Sequence, residues 1–452
     1  MKARSLRLAL AALAILSAGA GRPLWAAAQT SAPRPQQRVL PAEHPRSSKV
    51  SPAGTAQARA NALLEEGVTL QQEGKIAAAI LKFREAIQAN PNWSRAYVAL
   101  GGALDRHHDL PGAMEEYRKA LRLDPDDALA HLNLGMALRR QGHMRAALGE
   151  LAKAVDLAPE SATAHNEFGL ALALDGVLHT AVQQFRTAVM LKPDWAAARN
   201  NLANALSLGG NLHQAVRQYR KAIALAPHWA EPHNNLGNAL RDLGDSQGAV
   251  AEYQKALRLD PNYAAAYNDL GLALKMGGNV EGAIADYQKA VRLKPDYTAA
   301  HSNLAAAYYQ KHEWQLAVEQ YREAVRVEPK MASGHFNLGL ALEAAGRRHA
   351  ALGEYEEAMK LSPHIGLYRE QYQRLARELS NPPAPPPKTT GAATAPLVPP
   401  PARQAGAASS KAPAAPATRA SSTEPPKPQR SKRKRRAPHL LRRLLRRPLP
   451  PN

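Results

Sequence analysis

AEPHNNLGNALRDLGDSQGAVAEYQKALRLDPNY, residues 230–263, reads as one unit of a pattern that recurs every 34 residues. Pro261 is one tooth of a comb that runs Pro91, Pro125, Pro159, Pro193, Pro227, Pro261, Pro295, Pro329 and Pro363 at that single spacing. Numbering each unit so that this proline is position 32 starts the units at Ala60, Ser94, Ala128, Ala162, Ala196, Ala230, Ala264, Thr298 and Ala332. Nine repeats therefore cover 60–365 without an insertion, and a fixed period of this length signals stacked supersecondary units rather than several globular domains.

The other columns show what each unit is. Positions 20 and 27 are alanine in all nine repeats, for example Ala249 and Ala256 in the quoted unit. They lie seven apart, two turns along one face of a helix, where a methyl lets a neighbouring helix approach closely. Between them, position 24 carries Phe83, Tyr117, Leu151, Phe185, Tyr219, Tyr253, Tyr287, Tyr321 and Tyr355, read here as the knob between successive repeats. Position 7 of an earlier helix is Leu or Phe from the second repeat onward, while Glu66 stands there in the first, as befits an end repeat with one wet face. Position 15 is glycine in seven repeats, which supplies the left-handed residue that ends the first helix. His108 and His312 replace it and are expected to be slightly strained. The comb proline cannot donate a helical hydrogen bond and closes the second helix.

This Leu-Gly, Ala, aromatic, Ala and Pro signature, as in HNNLGNAL (233–240) and AEYQKALRLDP (251–261), resembles the tetratricopeptide-repeat (TPR) family. The resemblance implies an all-α, right-handed superhelical solenoid of helix-turn-helix repeats with helix A lining the concave face. Residues 366–380, with Tyr368, Tyr372 and Leu375 at helical spacing, predict a carboxy-terminal capping helix, so the solenoid spans 60–380.

Charge is distributed unevenly over the 452 residues. The formal total is +21, of which 1–59 hold +8 and 381–452 hold +14, leaving the repeats at −1. A high overall charge normally suggests nucleic acid, but the folded body lacks a basic field and that partner class is not favoured. The absence of cysteine excludes disulfides, thiolate metal sites and a cysteine nucleophile. Residues 1–28 predict an export signal: Lys2, Arg4 and Arg7, an uncharged run over 8–21, and cleavage after Ala28, or alternatively after Ala20. Residues 29–59 and the Pro/Ala-rich 381–430 predict disordered linkers.

Residues 431–452 predict a basic amphipathic tail. It begins with Lys432, Arg433, Lys434, Arg435 and Arg436; Arg442, Arg443, Arg446 and Arg447 then alternate with leucine pairs. At 100° per residue the leucines fill about 140° of arc and those last four arginines the opposite side. Such a helix suits an anionic membrane or lipopolysaccharide surface. A solvated charge run without a partner is the plainer alternative.

Family analogy turns position 6 of helix A toward the groove. It is Asn133, Asn201, Asn235, Asn303 and Asn337 in five repeats, with Asn204 and Asn238 at position 9 thickening the patch and Asn200, Asn234 and Asn268 at position 5 beside it. An amide both donates and accepts, so a row of them can pair with the backbone of an extended peptide. The repeats resemble those of O-linked N-acetylglucosamine transferases, whose asparagine ladder they share in part. Glu65, Ala99, Glu167 and Asp269 interrupt the ladder here, and asparagine that merely solvates an exposed face is the competing reading. Histidines at position 4 (His131, His165, His233, His301 and His335) fall one per repeat, too far apart for one zinc ion, which needs its ligands within about 2.1 Å. They are read as packing at the helix edge. No catalytic or cofactor motif is present.

The sequence thus predicts a non-enzymatic, exported scaffold, periplasmic or extracellular, holding a protein or peptide in its groove. Two alternatives share the fold: a bridging component of an envelope export or polysaccharide-assembly machine, and a substrate-presenting subunit of a glycosyltransferase. The sequence leaves the oligomeric state open.

Overall fold

In the computed structural model, residues 52–381 are described. The export signal, the linkers over 29–51 and 382–430, and the basic tail 431–452 lie outside the described residues.

Within these bounds the chain forms nineteen α-helices. The first helices of the repeats are α1 (Pro52–Gln72), α3 (Ser94–Arg106), α5 (Ala128–Arg140), α7 (Ala162–Leu174), α9 (Ala196–Leu208), α11 (Ala230–Asp242), α13 (Ala264–Met276), α15 (Thr298–Gln310) and α17 (Ala332–Ala344). Their partners are α2 (Ile76–Ala89), α4 (Leu110–Leu123), α6 (Met144–Leu157), α8 (Leu178–Leu191), α10 (Leu212–Leu225), α12 (Ser246–Leu259), α14 (Val280–Leu293), α16 (Trp314–Val327) and α18 (Arg348–Leu361), and α19 (Gly366–Ser380) closes the stack. The cap buries Tyr368 and Leu375, as the spacing predicts. One boundary needs correction. Helix α1 starts at Pro52, so residues 52–59, expected to be linker, are helical. An alanine-rich stretch propagates helix readily, and Asn90, the residue that ends α2, donates its amide to Gln57, tying the extension to the end of the next helix.

Seven of the nine repeats close on themselves through a glycine seat. An added Cβ on Gly237 would lie 2.6 Å from Cε1 of Tyr253, and Gly67, Gly101, Gly135, Gly169, Gly271 and Gly339 stand likewise against the position-24 side chain of their own repeat. The position-24 column therefore packs closely inside the repeat, across the A–B seam, and its rings also belong to buried clusters that run through several repeats. Ala249 and Ala256, on either side of Tyr253, are fully buried, as are their counterparts in every repeat.

The turns are built as the glycine column predicts. Gly74, Gly142, Gly176, Gly210, Gly244, Gly278 and Gly346 have φ between 76° and 87°, and His108 (68°) and His312 (63°) adopt the same left-handed conformation. At Gly244 the chain makes paired bonds, Gly244 N to Arg241 O and Asp245 N to Leu240 O, that satisfy two carbonyls of the ending helix. Asp109, Asp245 and Asn279 then cap the second helix by accepting from the backbone N–H of the glycine three residues on.

Consecutive helices pack as neighbours throughout, and from α1 to α15 each first helix also touches the first helix of the next repeat. The second helices show no comparable direct packing on one another. The first-helix side is therefore the more closely packed side of the stack, and side chains at positions 5, 6, 9 and 12 meet there.

Candidate functional site

The amides of the groove row are joined across repeat boundaries. Nδ2 of Asn201 donates to Oδ1 of Asn166 at 3.0 Å, Nδ2 of Asn235 to Oδ1 of Asn200 at 3.3 Å, and Nδ2 of Asn303 to Oδ1 of Asn268 at 2.9 Å. Between repeats six and seven, where position 6 is Asp269, the direction reverses, and Nδ2 of Asn234 donates to Oδ2 of Asp269 at 3.0 Å. Position 6 of one repeat thus meets position 5 of the preceding one at four successive interfaces, from α7 to α15. Position 5 is the buried member: Asn166, Asn200, Asn234 and Asn268 are nearly inaccessible, whereas Asn201, Asn235 and Asn303 are half-buried.

Carboxylates anchor this ladder. Asn166 donates to Glu167 (3.2 Å), which also receives Nη2 of Arg139 at 2.8 Å. Asn200 donates to Oε1 of Glu231 at 3.1 Å. Asp269, 3% exposed, receives Asn268 on Oδ1 and both Asn234 and Asn238 on Oδ2. Such bonds are what a buried carboxylate requires. Glu231 has only amides for hydrogen-bond partners, and burial pushes its carboxyl up to about 7 while Asn200 and Asn235 pull the other way.

At position 9, Asn204 accepts the phenolic hydrogen of Tyr219 (2.6 Å) and Asn238 that of Tyr253 (2.7 Å), so both side chains are oriented from within their own repeat. Asn238 also accepts from Arg241 at 3.1 Å. Asn201 and Asn204 line a shallow notch with Leu170, Ala173, Ala205 and Leu208. The remaining two predicted residues stand apart. Asn337 has its Oδ1 buried without a donor, and Ser302 replaces the position-5 asparagine behind it. Asn133 follows Val98 at that place and is buried. The seven asparagines therefore divide into four that make the ladder bonds, Asn201, Asn235, Asn238 and Asn303, one beside them held by Tyr219, Asn204, and two outside it, Asn133 and Asn337.

Glu167 and Asp269, which look like interruptions in the sequence, are members of the network, and Asn166 and Glu231 join them. The signal that could have found them was a pairing of columns at an offset of 35, one repeat plus one residue, rather than inspection of one column at a time.

The position-4 histidines have a structural task. In His131, His165, His301 and His335, Nε2 lies 2.9–3.0 Å from the carbonyl oxygen of the preceding comb proline; a carbonyl only accepts, so Nε2–H donates. Nδ1 meets a Glu or Gln on the second helix, Glu150, Gln184, Gln320 or Glu354. His233 makes the second contact with Glu252 at 2.7 Å. Arg199 performs both tasks in the fifth repeat, donating to Pro193 O and to Gln218.

With this geometry in view, the comparisons decide the family. Family models described as TPR repeat match residues 109–142, 237–278, 273–312 and 307–346, and models described as tetratricopeptide repeat match 132–194 and 195–226. The chain belongs to the tetratricopeptide-repeat family. TPR proteins are protein-interaction scaffolds, and the array described above is one of their solenoids. No curated protein matches the chain by sequence. Among solved structures it is similar to the Cut9–Hcn1 hetero-tetramer of the APC/C, at 18% identity and a TM-score of 0.47 over 71% of this chain. The match covers 66% of that chain, slightly less than two thirds of its length. It is also similar to PilF of Pseudomonas aeruginosa (22% identity, TM-score 0.42, 46% of this chain and 94% of that one). A third is YrrB, described as a TPR protein with an unusual peptide-binding site (22% identity, TM-score 0.35, 41% and 96%).

Proposed function

We propose that this TPR protein is an exported scaffold that holds a polypeptide segment along the first-helix face of repeats four to eight, with residues 431–452 attaching it to an anionic surface. The observation that carries the reading is the half-buried row Asn201, Asn235 and Asn303. Each amide is fixed in place by a bond to the preceding repeat, yet each keeps an oxygen that no donor among the described residues satisfies. Polar groups held rigid and incompletely bonded on the inner side of a curved array are what an extended backbone can use. The apolar notch beside Asn201 and Asn204 offers a seat for a side chain of the same guest.

The test is co-purification from the native host using full-length protein. Partners retained by the wild type and lost on replacing Asn201, Asn235 and Asn303 together by alanine support the reading, provided the far-ultraviolet spectrum stays helical. Unchanged retention overturns it. Export is checked separately by amino-terminal sequencing of the mature protein, expected to start at Gln29. Surface attachment is checked by sedimentation with anionic vesicles, expected to depend on residues 431–452.

A further inference from the structure

Three of the four ladder interfaces have the same chemical order. Carboxylate, buried asparagine and half-buried asparagine follow one another as Glu167, Asn166, Asn201; as Glu231, Asn200, Asn235; and as Asp269, Asn268, Asn303. An ionised carboxylate only accepts, so the Nδ2 end of the buried amide must face it. That leaves the Oδ1 of the buried amide as an acceptor, and the outer amide must answer with its own Nδ2. The polarity therefore ends on Oδ1 of Asn201, Asn235 and Asn303, which receive no donor from the described residues. An asparagine could ordinarily rotate to offer either end; here the acid two links back decides which.

We infer that the groove over repeats four to eight is a hydrogen-bond acceptor surface, and that its guest is an extended polypeptide segment that brings the donors, lysine and arginine side chains foremost. This inference rests on the groove reading above and narrows it. Charge supports it at the centre of the row. Arg139 is committed to Glu167, and Arg241 to Asn238 and Asp242, whereas Glu231 has amides alone for hydrogen-bond partners, so the Asn200–Asn235 pair carries a negative charge behind it with no cation bonded to it. Polarised amides in a chain of bonds strengthen one another, which makes the outer oxygen a better acceptor than an isolated amide. Leu208, exposed at the rim beside Asn201, offers apolar surface along which the aliphatic stem of a long cationic side chain can lie.

The experiment uses the full chain at pH 8 and low salt, with two fluorescent ten-residue probes, one alternating glycine with lysine and one alternating glycine with glutamate. The basic carboxy-terminal residues are common to every protein compared, so the change between wild type and variant reports the groove. Asn201→Ala with Asn235→Ala is expected to weaken the lysine probe at least about fivefold, the worth of one to two hydrogen bonds, and to leave the glutamate probe unchanged. Glu231→Gln, which keeps the shape of the side chain, is expected to act in the same direction by about threefold. A lysine probe indifferent to both variants, or a glutamate probe weakened by them, overturns the inference. Native partners still lost from the triple-alanine variant in that case would leave the groove standing with a different guest; partners retained would remove both.

Discussion

Nδ2 of Asn303 lies 2.9 Å from Oδ1 of Asn268, thirty-five residues earlier and one repeat back. Asn268 passes the interaction on to Asp269, so a single buried amide satisfies groups on both sides of a repeat boundary. Removing it takes the acceptor from Asn303 and the donor from Oδ1 of Asp269, which keeps Asn234 and Asn238 on Oδ2. Asn268→Ala is expected to cost about 1–3 kcal/mol in urea unfolding, because an unsatisfied buried polar group is penalised beyond the bond it loses. Asn337→Ala is the contrast. Its Oδ1 is already buried without a donor, so its loss should move stability by no more than about 0.5 kcal/mol.

Glu231 should give the fold a pH dependence of unusual sign for a carboxylate. Burial raises its folded-state value to about 7, above that of the unfolded chain. Protonated in both states at low pH, it contributes fully there. As pH rises from about 4.3 toward 7 the unfolded chain ionises first, and stability falls. Glu231→Gln removes the effect, so the variant should gain on the wild type by up to about 3 kcal/mol between pH 4 and pH 8. Urea midpoints at the two pH values measure the difference; a constant gap refutes it.

Glu252 predicts the opposite limb. Burial pushes its carboxyl up, but the bonds from His233 and Lys255 outweigh that and hold it below the ordinary range. Its contribution is present above the unfolded value and is lost as pH falls through the folded one. Glu252→Gln should therefore lose stability relative to the wild type near neutrality, and that deficit should shrink on acidification below about pH 4.5. Thermal melts across that range read it directly.

The clamp on the comb proline should accept arginine in place of histidine. His165 bridges Pro159 O and Gln184, and Arg199 bridges Pro193 O and Gln218 one repeat later. His165→Ala is expected to cost about 1–2 kcal/mol. His165→Arg should recover most of it, a result that packing alone at the helix edge would not produce.

The two left-handed histidines should respond differently to glycine. His108→Gly relieves an unfavourable backbone at φ 68° and should stabilise by about 0.5–1 kcal/mol. The ring of His312 packs edge-on to Trp314 with centroids 4.8 Å apart. Losing that contact, worth about 0.5–1.5 kcal/mol, should cancel the gain at His312→Gly.

The fold was legible because it is written in columns. Alanine at positions 20 and 27, the aromatic between them and the comb proline each report a contact repeated nine times, and noise does not survive that redundancy. The turn conformations of His108 and His312 followed from the same columns. The site was legible only in part. Asn201, Asn235 and Asn303 were visible as a row, but the partners that orient them lie in other columns and other repeats. Glu167 and Asp269 read as flaws for that reason. The start of α1 at Pro52 was missed because the repeat frame begins at Ala60, and nothing in a periodic pattern reports helix added outside the period.

The asparagine-to-asparagine bonds of the ladder fall in repeats four to eight. In an array whose stability is a sum of nearest-neighbour contacts, the buried amide bonds reinforce the middle interfaces, and three asparagines, Asn234, Asn238 and Asn268, converge there on Asp269. Drawn by its two ends, such a chain would peel inward repeat by repeat and stall at the polar seam around Asp269, so the face proposed to hold a guest would also be the face that survives longest under load.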